Sequence, residues 1–175
     1  HEEKANTHVK TEPRCDMQHR LRMTRRSDVN FISVWQRTPL GRTLTELKAD
    51  DTMVSAFAEA IVPTINDSVG RFLQAGDWCV CTTPKRRHTE RNFATRVAMF
   101  IAELLGIRFY EDVALCKNRH RMGAVFELNV LPKESNIIVY DDIVTSGQTL
   151  KGMKTLLEKH DKNLVFFTNI NNKID

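Results

Sequence analysis

The stretch Asn136-Ile137-Ile138-Val139-Tyr140-Asp141-Asp142-Ile143-Val144-Thr145-Ser146-Gly147-Gln148-Thr149-Leu150 decides the fold. It begins with an apolar run rich in β-branched and aromatic residues, which is typical of a strand buried on both faces. Two adjacent carboxylates follow, then a short hydroxylated loop around one glycine, and then an amphipathic segment from Leu150 to His160. This order predicts a buried strand, a ligand-binding loop and a helix, which together form a unit of an α/β fold.

The loop of this unit suits a phosphate group. Gly147 lets the backbone approach an anion closely, and amides at a helix N-terminus can face it. The adjacent carboxylates of Asp141 and Asp142 would repel a bare anion, so they should face sugar hydroxyls or a cation such as Mg²⁺. A sugar phosphate satisfies both halves of the site. The alternative is an Asp-rich turn between the strand and the helix of another kind of α/β domain.

The rest of the chain alternates between strand and helix patterns. Predicted strands cover residues 31–35, 78–81, 107–115, 137–140 and 163–168, and predicted helices cover about 54–72, 90–105 and 150–160. The strands are almost continuously apolar, so we expect a mainly parallel sheet flanked by helices. Pro63 should kink or divide the first helix. Residues 116–129 are predicted to be a basic loop.

Length and composition indicate a soluble globular domain. The chain has 175 residues, of which 41% are hydrophobic and 27% charged. No apolar run approaches the length of a membrane helix and no signal peptide is visible, so we expect a cytoplasmic protein without membrane contact. The four cysteines form no C-x-x-C pair, which favours reduced thiols and argues against a cysteine metal site.

The net charge of +4 is concentrated in three clusters of basic residues. They are Arg20, Arg22, Arg25 and Arg26; then Lys85, Arg86 and Arg87; and then Lys117, Arg119 and Arg121. Such clusters imply a polyanionic ligand, either pyrophosphate or nucleic acid. Residues 1–30 are predicted to be a basic N-terminal arm, flexible at its extreme N-terminus and either flexible or ordered toward its end, and residues 31–175 the folded domain. The arm is either a solvated tail or a nucleic-acid contact, but it has no aromatic residue for base stacking.

The stretch from Asn136 to Leu150 closely resembles the phosphoribosyl-pyrophosphate signature of the type I phosphoribosyltransferases. That signature has an apolar strand, two acidic residues, two apolar residues and Thr-Ser-Gly-x-Thr. The resemblance covers roughly residues 78–170 and implies a Rossmann-like core. It implies a pentosyltransferase that uses Mg²⁺ and transfers the phosphoribosyl group to a nitrogenous base or amine with release of pyrophosphate. A homodimer is also expected.

The resemblance assigns roles to individual residues. Asp141, Asp142 and Arg119 would be catalytic, and the two aspartates would also hold Mg²⁺, largely through ligand and water. The 5′-phosphate loop would consist of Ile143, Val144, Thr145, Ser146, Gly147, Gln148 and Thr149. Pyrophosphate would be bound by Thr83, Lys85, Arg86, Lys117 and Arg121. The loops at 82–89, 116–129 and 141–149 follow strands of a parallel sheet, so they should converge at its carboxyl edge.

Residues 83–94 further resemble the competence-associated ComF-type branch, in which a proline, a basic stretch and Arg-Gly-Phe-Asn precede the same helix. Here the order is Arg91-Asn92-Phe93 without the glycine, and the branch's zinc-binding N-terminus is missing. Purine-salvage members carry an aspartate at the position of Thr145, which argues against a 6-oxopurine substrate held in that way.

Two alternatives to an active transferase stay open. One is a regulator or sensor that binds phosphoribosyl pyrophosphate or a nucleotide without turnover. The other is a component of a DNA-handling system whose N-terminal arginines contact phosphates. Strongly salt-dependent DNA binding would favour the second alternative, whereas Mg²⁺-dependent ligand binding at Asp141 and Asp142 would favour a transferase or a regulator.

Overall fold

The structure is a computed structural model that describes residues 12–85, 90–117 and 125–173. Its strands are β1 (Arg14–Cys15), β2 (Arg22–Arg26), β3 (Val29–Gln36), β4 (Arg42–Thr43), β5 (Trp78–Thr82), β6 (Arg108–Tyr110), β7 (Ala114–Cys116), β8 (Phe126–Leu128), β9 (Asn136–Val144) and β10 (Asn163–Asn171). Its helices are α1 (Leu44–Ala49), α2 (Met53–Leu73), α3 (Phe93–Leu105) and α4 (Gln148–Glu158). In the described residues, six strands form the main sheet in the order β2-β3-β10-β9-β5-β6.

This main sheet is parallel except at one edge. Neighbouring strands from β3 through β10, β9 and β5 to β6 pair in parallel, and only β2 runs antiparallel, against β3. The two central strands pair along their whole length, with Asn136 opposite Asn163 and Val144 opposite Asn171. The predicted α/β fold, a mainly parallel sheet flanked by helices, is confirmed.

The two faces of the sheet are covered by different helices. Ile138 and Tyr140 of β9 lie in a core with α2 and α3, whereas Ile137 and Val139 lie in a second core with α4. All four side chains are fully buried. Successive side chains of a strand point to opposite faces, so a strand covered on both sides has to be apolar at every position. This explains the continuous apolar run in the sequence.

Helix α2 remains one element through Pro63. The sequence predicted a kink or a division there, and the division is wrong, because the helix runs unbroken from Met53 to Leu73. Pro63 is exposed, and Ile61 and Ile65 on either side of it are fully buried against the sheet. Burial of the apolar face on both sides of the proline offsets the missing backbone hydrogen bond.

Among the described helices, none is long and apolar enough to cross a membrane.

Part of the stretch predicted to be a flexible arm is strand. Strand β2 (Arg22–Arg26) pairs with β3 along its length, from Arg22 opposite Ser33 to Arg26 opposite Val29. Only Thr24 of this strand is buried, so the sequence has no apolar alternation that would predict it. Its order comes from backbone pairing to β3. Residues 1–11 lie outside the described part of the chain.

The segment predicted as one strand over 107–115 forms two. Strand β6 pairs with β5 in the main sheet, and β7 leaves that sheet to pair antiparallel with β8. Between them, Asp112 has a φ of +54°, a left-handed conformation that redirects the chain. The predicted loop over 116–129 is therefore a β-hairpin at its two ends, and residues 118–124 lie outside the described part.

Candidate functional site

A cavity of about 750 Å³ lies at the carboxyl edge of the parallel strands. The loop after β5, the start of α3, one residue of α1, and the end of β9 with its loop line it. Ligands collect at this edge in open α/β sheets, because loops from neighbouring strands meet there. The cavity brings together Thr83, Lys85, Asp141, Asp142 and the residues from Ile143 to Thr149, except Gln148.

The acidic pair lies near the carboxyl end of strand β9, just before its last two residues. Asp141 lies opposite Thr168 of β10, and Asp142 is almost completely buried. The ammonium group of Lys48 lies 2.9 Å from Oδ2 of Asp142, so it compensates the charge of that carboxylate. Lys48 belongs to α1, whose start is fixed by reciprocal hydrogen bonds between Thr43 and Glu46. A single lysine on a short helix carries no sequence signal for this contact.

The electrostatics of the pair disfavour two negative charges. Burial raises the pKa of Asp141 well above its usual value, and the neighbouring charge of Asp142 raises it further, while Lys48 partly opposes the shift. A bound cation or a pair of hydroxyl donors would stabilise the ionised form. The two carboxylates are hard oxygen ligands, and Mg²⁺ ordinarily completes its shell with water and substrate oxygens. The donor set therefore fits Mg²⁺ held jointly with a substrate.

Within the described ranges, no group of three or more His, Cys, Asp or Glu residues could hold a metal ion by protein ligands alone. Burial raises the pKa of Cys79 to about 12 and that of Cys81 still further, so these thiols stay protonated and unreactive near neutral pH.

The hydroxylated loop turns sharply into α4 at Gly147. This residue has a φ of +81° and is the N-cap of the helix, so it offers no side-chain acceptor to the first-turn amides. The amide of Gln148 donates to Oγ of Ser146 at 3.3 Å, so the next amides of the first turn, at Thr149 and Leu150, are the ones that can face an anion, and the helix dipole favours one there. Thr145, Ser146 and Thr149 are exposed at the same place and carry hydroxyl donors. These features are chemically suited to a phosphate.

The loop after β5 is held by acidic residues that the sequence did not single out. Lys85 is buried, and its ammonium lies 3.0 Å from Oε1 of Glu111 and 3.4 Å from Oδ1 of Asp112. Arg91 also pairs with Glu111, at 3.2 Å. The pKa of Glu111 is lowered, chiefly by its hydrogen bond from Lys85. Lys85 thus lines the cavity with its charge compensated by two carboxylates.

Helix α3 begins beside this loop. The side chain of Asn92 accepts a hydrogen bond from the amide of Thr95 at 2.9 Å and caps the helix. The Arg91-Asn92-Phe93 segment therefore sets the start of α3 on the cavity wall.

Of the remaining basic candidates, only Lys117 belongs to the described residues, and it lies away from the cavity. Lys117 lies at the end of β7, where it pairs with Glu127 at 3.7 Å, and both side chains are exposed. An exposed pair of this kind contributes little to stability. Among the described residues, Lys117 is not part of the cavity wall. Arg86, Arg119 and Arg121 lie outside the described residues, so their predicted roles stay predictions.

No family model and no curated protein matches the chain. Several solved phosphoribosyltransferase structures are similar to it. The Saccharomyces cerevisiae adenine enzyme, complexed with an imino-altritol bisphosphate and adenine, is 16% identical with a TM-score of 0.46; 86% of this chain and 83% of that one are covered. The Helicobacter pylori xanthine-guanine-hypoxanthine enzyme is 16% identical with a TM-score of 0.48, covering 71% and 86%. The Aeropyrum pernix orotate enzyme is 14% identical with a TM-score of 0.47, covering 75% and 67%. Identity this low assigns no activity, so function has to be inferred from the residues at the site.

Proposed function

We propose that the protein is a phosphoribosyltransferase that binds phosphoribosyl pyrophosphate and transfers its phosphoribosyl group to a nitrogenous acceptor. One observation carries the proposal. An acidic pair near the end of β9, in which Asp142 is buried and Asp141 half-buried, and a glycine-hinged hydroxyl loop at the start of α4 line the same cavity. Carboxylates suit sugar hydroxyls and a cation, and the loop suits a phosphate, so a sugar phosphate matches both.

Each part of the substrate has a proposed partner. Asp141 and Asp142 accept hydrogen bonds from the ribose hydroxyls, and the loop from Ile143 to Thr149 holds the 5′-phosphate. Lys85, Thr83 and Arg86 of the loop after β5 hold the pyrophosphate, and Arg119, Lys117 and Arg121 close over it. When bound, Mg²⁺ supplies positive charge to the pyrophosphate oxygens, and Asp141 and Asp142 hold it largely through ligand and water.

In the proposed reaction, the bond from C1 of the ribose to pyrophosphate breaks and its electron pair leaves with the pyrophosphate. A lone pair on the acceptor nitrogen forms the new bond to C1, and the proton that the acceptor carried on nitrogen passes to the departing pyrophosphate or to water. The sugar ring becomes positively charged at the transition state, and the carboxylates of Asp141 and Asp142 stabilise that charge. Most of the rate enhancement then comes from positioning and electrostatics.

The acceptor is proposed only by class, as a nitrogenous base or an amine. Thr145 stands where purine-salvage enzymes carry an aspartate, so a 6-oxopurine held in that way is not proposed. The ComF-type likeness rests on the loop that ends at Arg91-Asn92-Phe93. Cys15, Cys79 and Cys81 are buried free thiols, which suits a reducing compartment, so we propose that the protein is cytoplasmic. We also propose that it is a homodimer.

A binding-only regulator is the second candidate, and the ion pairs of Lys85 support it. Glu111 and Asp112 already compensate the charge that would receive the leaving pyrophosphate. The nucleic-acid alternative has less support, because two of the N-terminal arginines already have partners within the chain. Arg20 pairs with Asp16 at 3.0 Å, and Arg26 binds the carbonyl of Thr145.

Release of pyrophosphate from phosphoribosyl pyrophosphate separates the transferase from the regulator. The assay uses Mg²⁺ and a panel of nucleobases, azole carboxamides and primary amines, with the parent and Asp141→Asn/Asp142→Asn. We expect acceptor-dependent release by the parent alone. Release that is the same with and without each acceptor, or that survives in the double variant, would contradict the proposal. Tight substrate binding with no release under any acceptor would favour the regulator.

A further inference from the structure

The hydroxylated loop of residues 143–149 needs hydrogen-bond donors on its outer side. A loop that turns its amide N–H groups toward an anion turns carbonyl groups the other way, and these carbonyls need partners. Residues 26–28, which are the last residue of β2 and the turn that joins it to β3, supply the donors. The hydroxyl of Ser27 donates to the carbonyl of Ser146 at 2.7 Å, and Nη1 of Arg26 donates to the carbonyl of Thr145 at 3.0 Å.

This turn is itself anchored to the sheet and to α4. Nη1 of Arg26 also donates to Oδ1 of Asn171, at the end of β10, at 2.7 Å. The guanidinium carbon lies 5.5 Å from the centre of the Phe31 ring. On the other side, Lys154 of α4 donates to the carbonyl of Asp28 at 3.0 Å. The turn therefore has a fixed position from which it can hold the loop.

The backbone of the turn explains how the Ser27 hydroxyl reaches the loop. Ser27 and Asp28 have φ values of +53° and +63°, the left-handed pair that joins two antiparallel strands in the tightest hairpins. Left-handed conformations are costly for residues other than glycine, by about 1–2 kcal/mol each. The hydroxyl accepts a hydrogen bond from Nε2 of Gln148 at 3.0 Å while it donates to Ser146. Its two hydrogen-bonding functions thus both serve the loop.

The contact extends to the loop glycine. A Cβ atom at position 147 would lie 3.0 Å from the carbonyl oxygen of Arg26, so the loop packs directly on the backbone of the turn. Arg26 and Ser27 therefore fix the positions of the carbonyl groups of residues 145 and 146 and of the Cα of Gly147.

We propose that Arg26 and Ser27 are positioning residues for the 5′-phosphate loop, binding its outward carbonyls so that its amides face the phosphate. This inference rests on the proposed function. It adds to the site two residues that lie outside the segment resembling the family signature, in a stretch where the sequence predicted a flexible arm.

The test measures ligand affinity and stability separately. Dissociation constants for Mg²⁺–phosphoribosyl pyrophosphate and for ribose 5-phosphate are measured by calorimetry, and the free energy of unfolding without ligand by denaturant. Arg26→Gln should raise the dissociation constants of both ligands about tenfold, because one loop carbonyl loses its charged donor. Arg26→Lys should raise them less, since its ammonium keeps the charge and can still donate a hydrogen bond. Arg25→Gln is the matched control on the same strand, because the side chain of Arg25 is 62% exposed and pairs with Asp28.

Ser27→Gly separates positioning from folding. Glycine removes the hydroxyl but adopts a φ of +53° without strain, so the unliganded protein should be as stable as the parent or more stable. Affinity for both ligands should still fall about tenfold. Loss of affinity without loss of stability is a result that a purely structural residue would not produce.

The outcomes distinguish the inference from the function on which it rests. If the parent binds both ligands and Ser27→Gly binds them equally well, the inference is overturned and the proposed function stands. An Arg25→Gln variant as weak as Arg26→Gln would also overturn it, because general loss of positive charge would then explain the effect. If the parent binds neither ligand, the proposed function is contradicted and the inference falls with it. Should Arg26→Gln fail to fold, Ser27→Gly decides alone.

Discussion

Substitution of the loop glycine tests how closely the loop packs on the β2–β3 turn. Gly147→Ala forces an L-residue into a φ of +81°, which costs about 1–2 kcal/mol. Its Cβ atom would also lie 3.0 Å from the carbonyl oxygen of Arg26, a backbone atom that cannot rotate away. Crowding of this kind typically adds about 1–3 kcal/mol. The free energy of unfolding should therefore fall by about 2–5 kcal/mol.

Gly76→Ala is the matched control for this change. Gly76 has the same φ of +81°, but a Cβ atom there would meet nothing within 4 Å. Only the backbone cost of about 1–2 kcal/mol should appear. Both variants are unfolded with guanidinium chloride and titrated with phosphoribosyl pyrophosphate and Mg²⁺. Gly147→Ala should be the less stable of the two and should also bind the ligand more weakly, whereas Gly76→Ala should bind like the parent.

The comparison has a clear contrary result. If both variants lose the same stability and keep the affinity of the parent, Gly147 is an ordinary turn glycine. The close approach of the loop to Arg26 would then have no energetic consequence.

For three further substitutions, the structure predicts whether the free energy of unfolding rises or falls. Gly152→Ala should destabilise by about 1–2 kcal/mol by denaturant unfolding, because its Cβ atom would lie 2.4 Å from Cε2 of Phe126 and the crowding outweighs the gain in helix propensity. Asp141→Asn should be more stable than the parent at neutral pH. Burial raises the pKa of Asp141 in the folded protein, so the stability of the parent falls as pH rises above the pKa of the unfolded chain. The advantage of the variant over the parent should vanish below about pH 4, where Asp141 is protonated in both the folded and the unfolded protein. Glu111→Gln should lower the free energy of unfolding by about 1–2 kcal/mol at neutral pH, because it removes one partner of buried Lys85. The pKa of Glu111 is lowered in the folded protein, so the difference in stability between parent and variant should disappear as pH falls through that pKa.

Matched variants give two of these predictions a control. Gly70→Ala lies in α2, where a Cβ atom would meet Asn66 atoms at an ordinary 3.7 Å, so it should gain about 0.5–1 kcal/mol. A similar gain from Gly152→Ala would contradict the packing of Phe126 on α4. Glu127→Gln removes an exposed partner and should change stability by under about 0.5 kcal/mol. An Asp141→Asn variant less stable than the parent at pH 7 would show that the carboxylate is not destabilising in the folded protein.

The central part of the site could be predicted because it is local in sequence. Strand β9, its acidic pair, the glycine loop and α4 are consecutive, and each step has its own pattern of polarity. The β-branched run indicates a covered strand, Gly147 marks the turn, and the apolar spacing after Leu150 indicates a helix. The neighbouring loop with Thr83 and Lys85 could be placed as well, because parallel topology sends both loops to the same edge.

Contacts between distant segments could not be predicted in this way. Lys48 reaches Asp142, and Glu111 reaches Lys85, through tertiary packing that leaves no periodic trace in the sequence. Of the five residues of strand β2, four are exposed or half-buried and only Thr24 is buried, so the order of this strand depends on pairing with β3. Arg26 therefore reads as a surface charge in the sequence, although the structure places it against the loop.

The central claim is that Asp141 and Asp142 form a phosphoribosyl-pyrophosphate site, and calorimetric titration of that ligand with Mg²⁺ tests it most directly. The parent is compared with Asp141→Asn/Asp142→Asn and with Asp67→Asn/Asp161→Asn, which makes the same charge change at exposed positions outside the cavity wall. We predict binding by the parent and the control, and loss or great weakening in the Asp141/Asp142 variant while it remains folded. A folded parent that does not bind, or an Asp141/Asp142 variant that binds like the control, would contradict the claim.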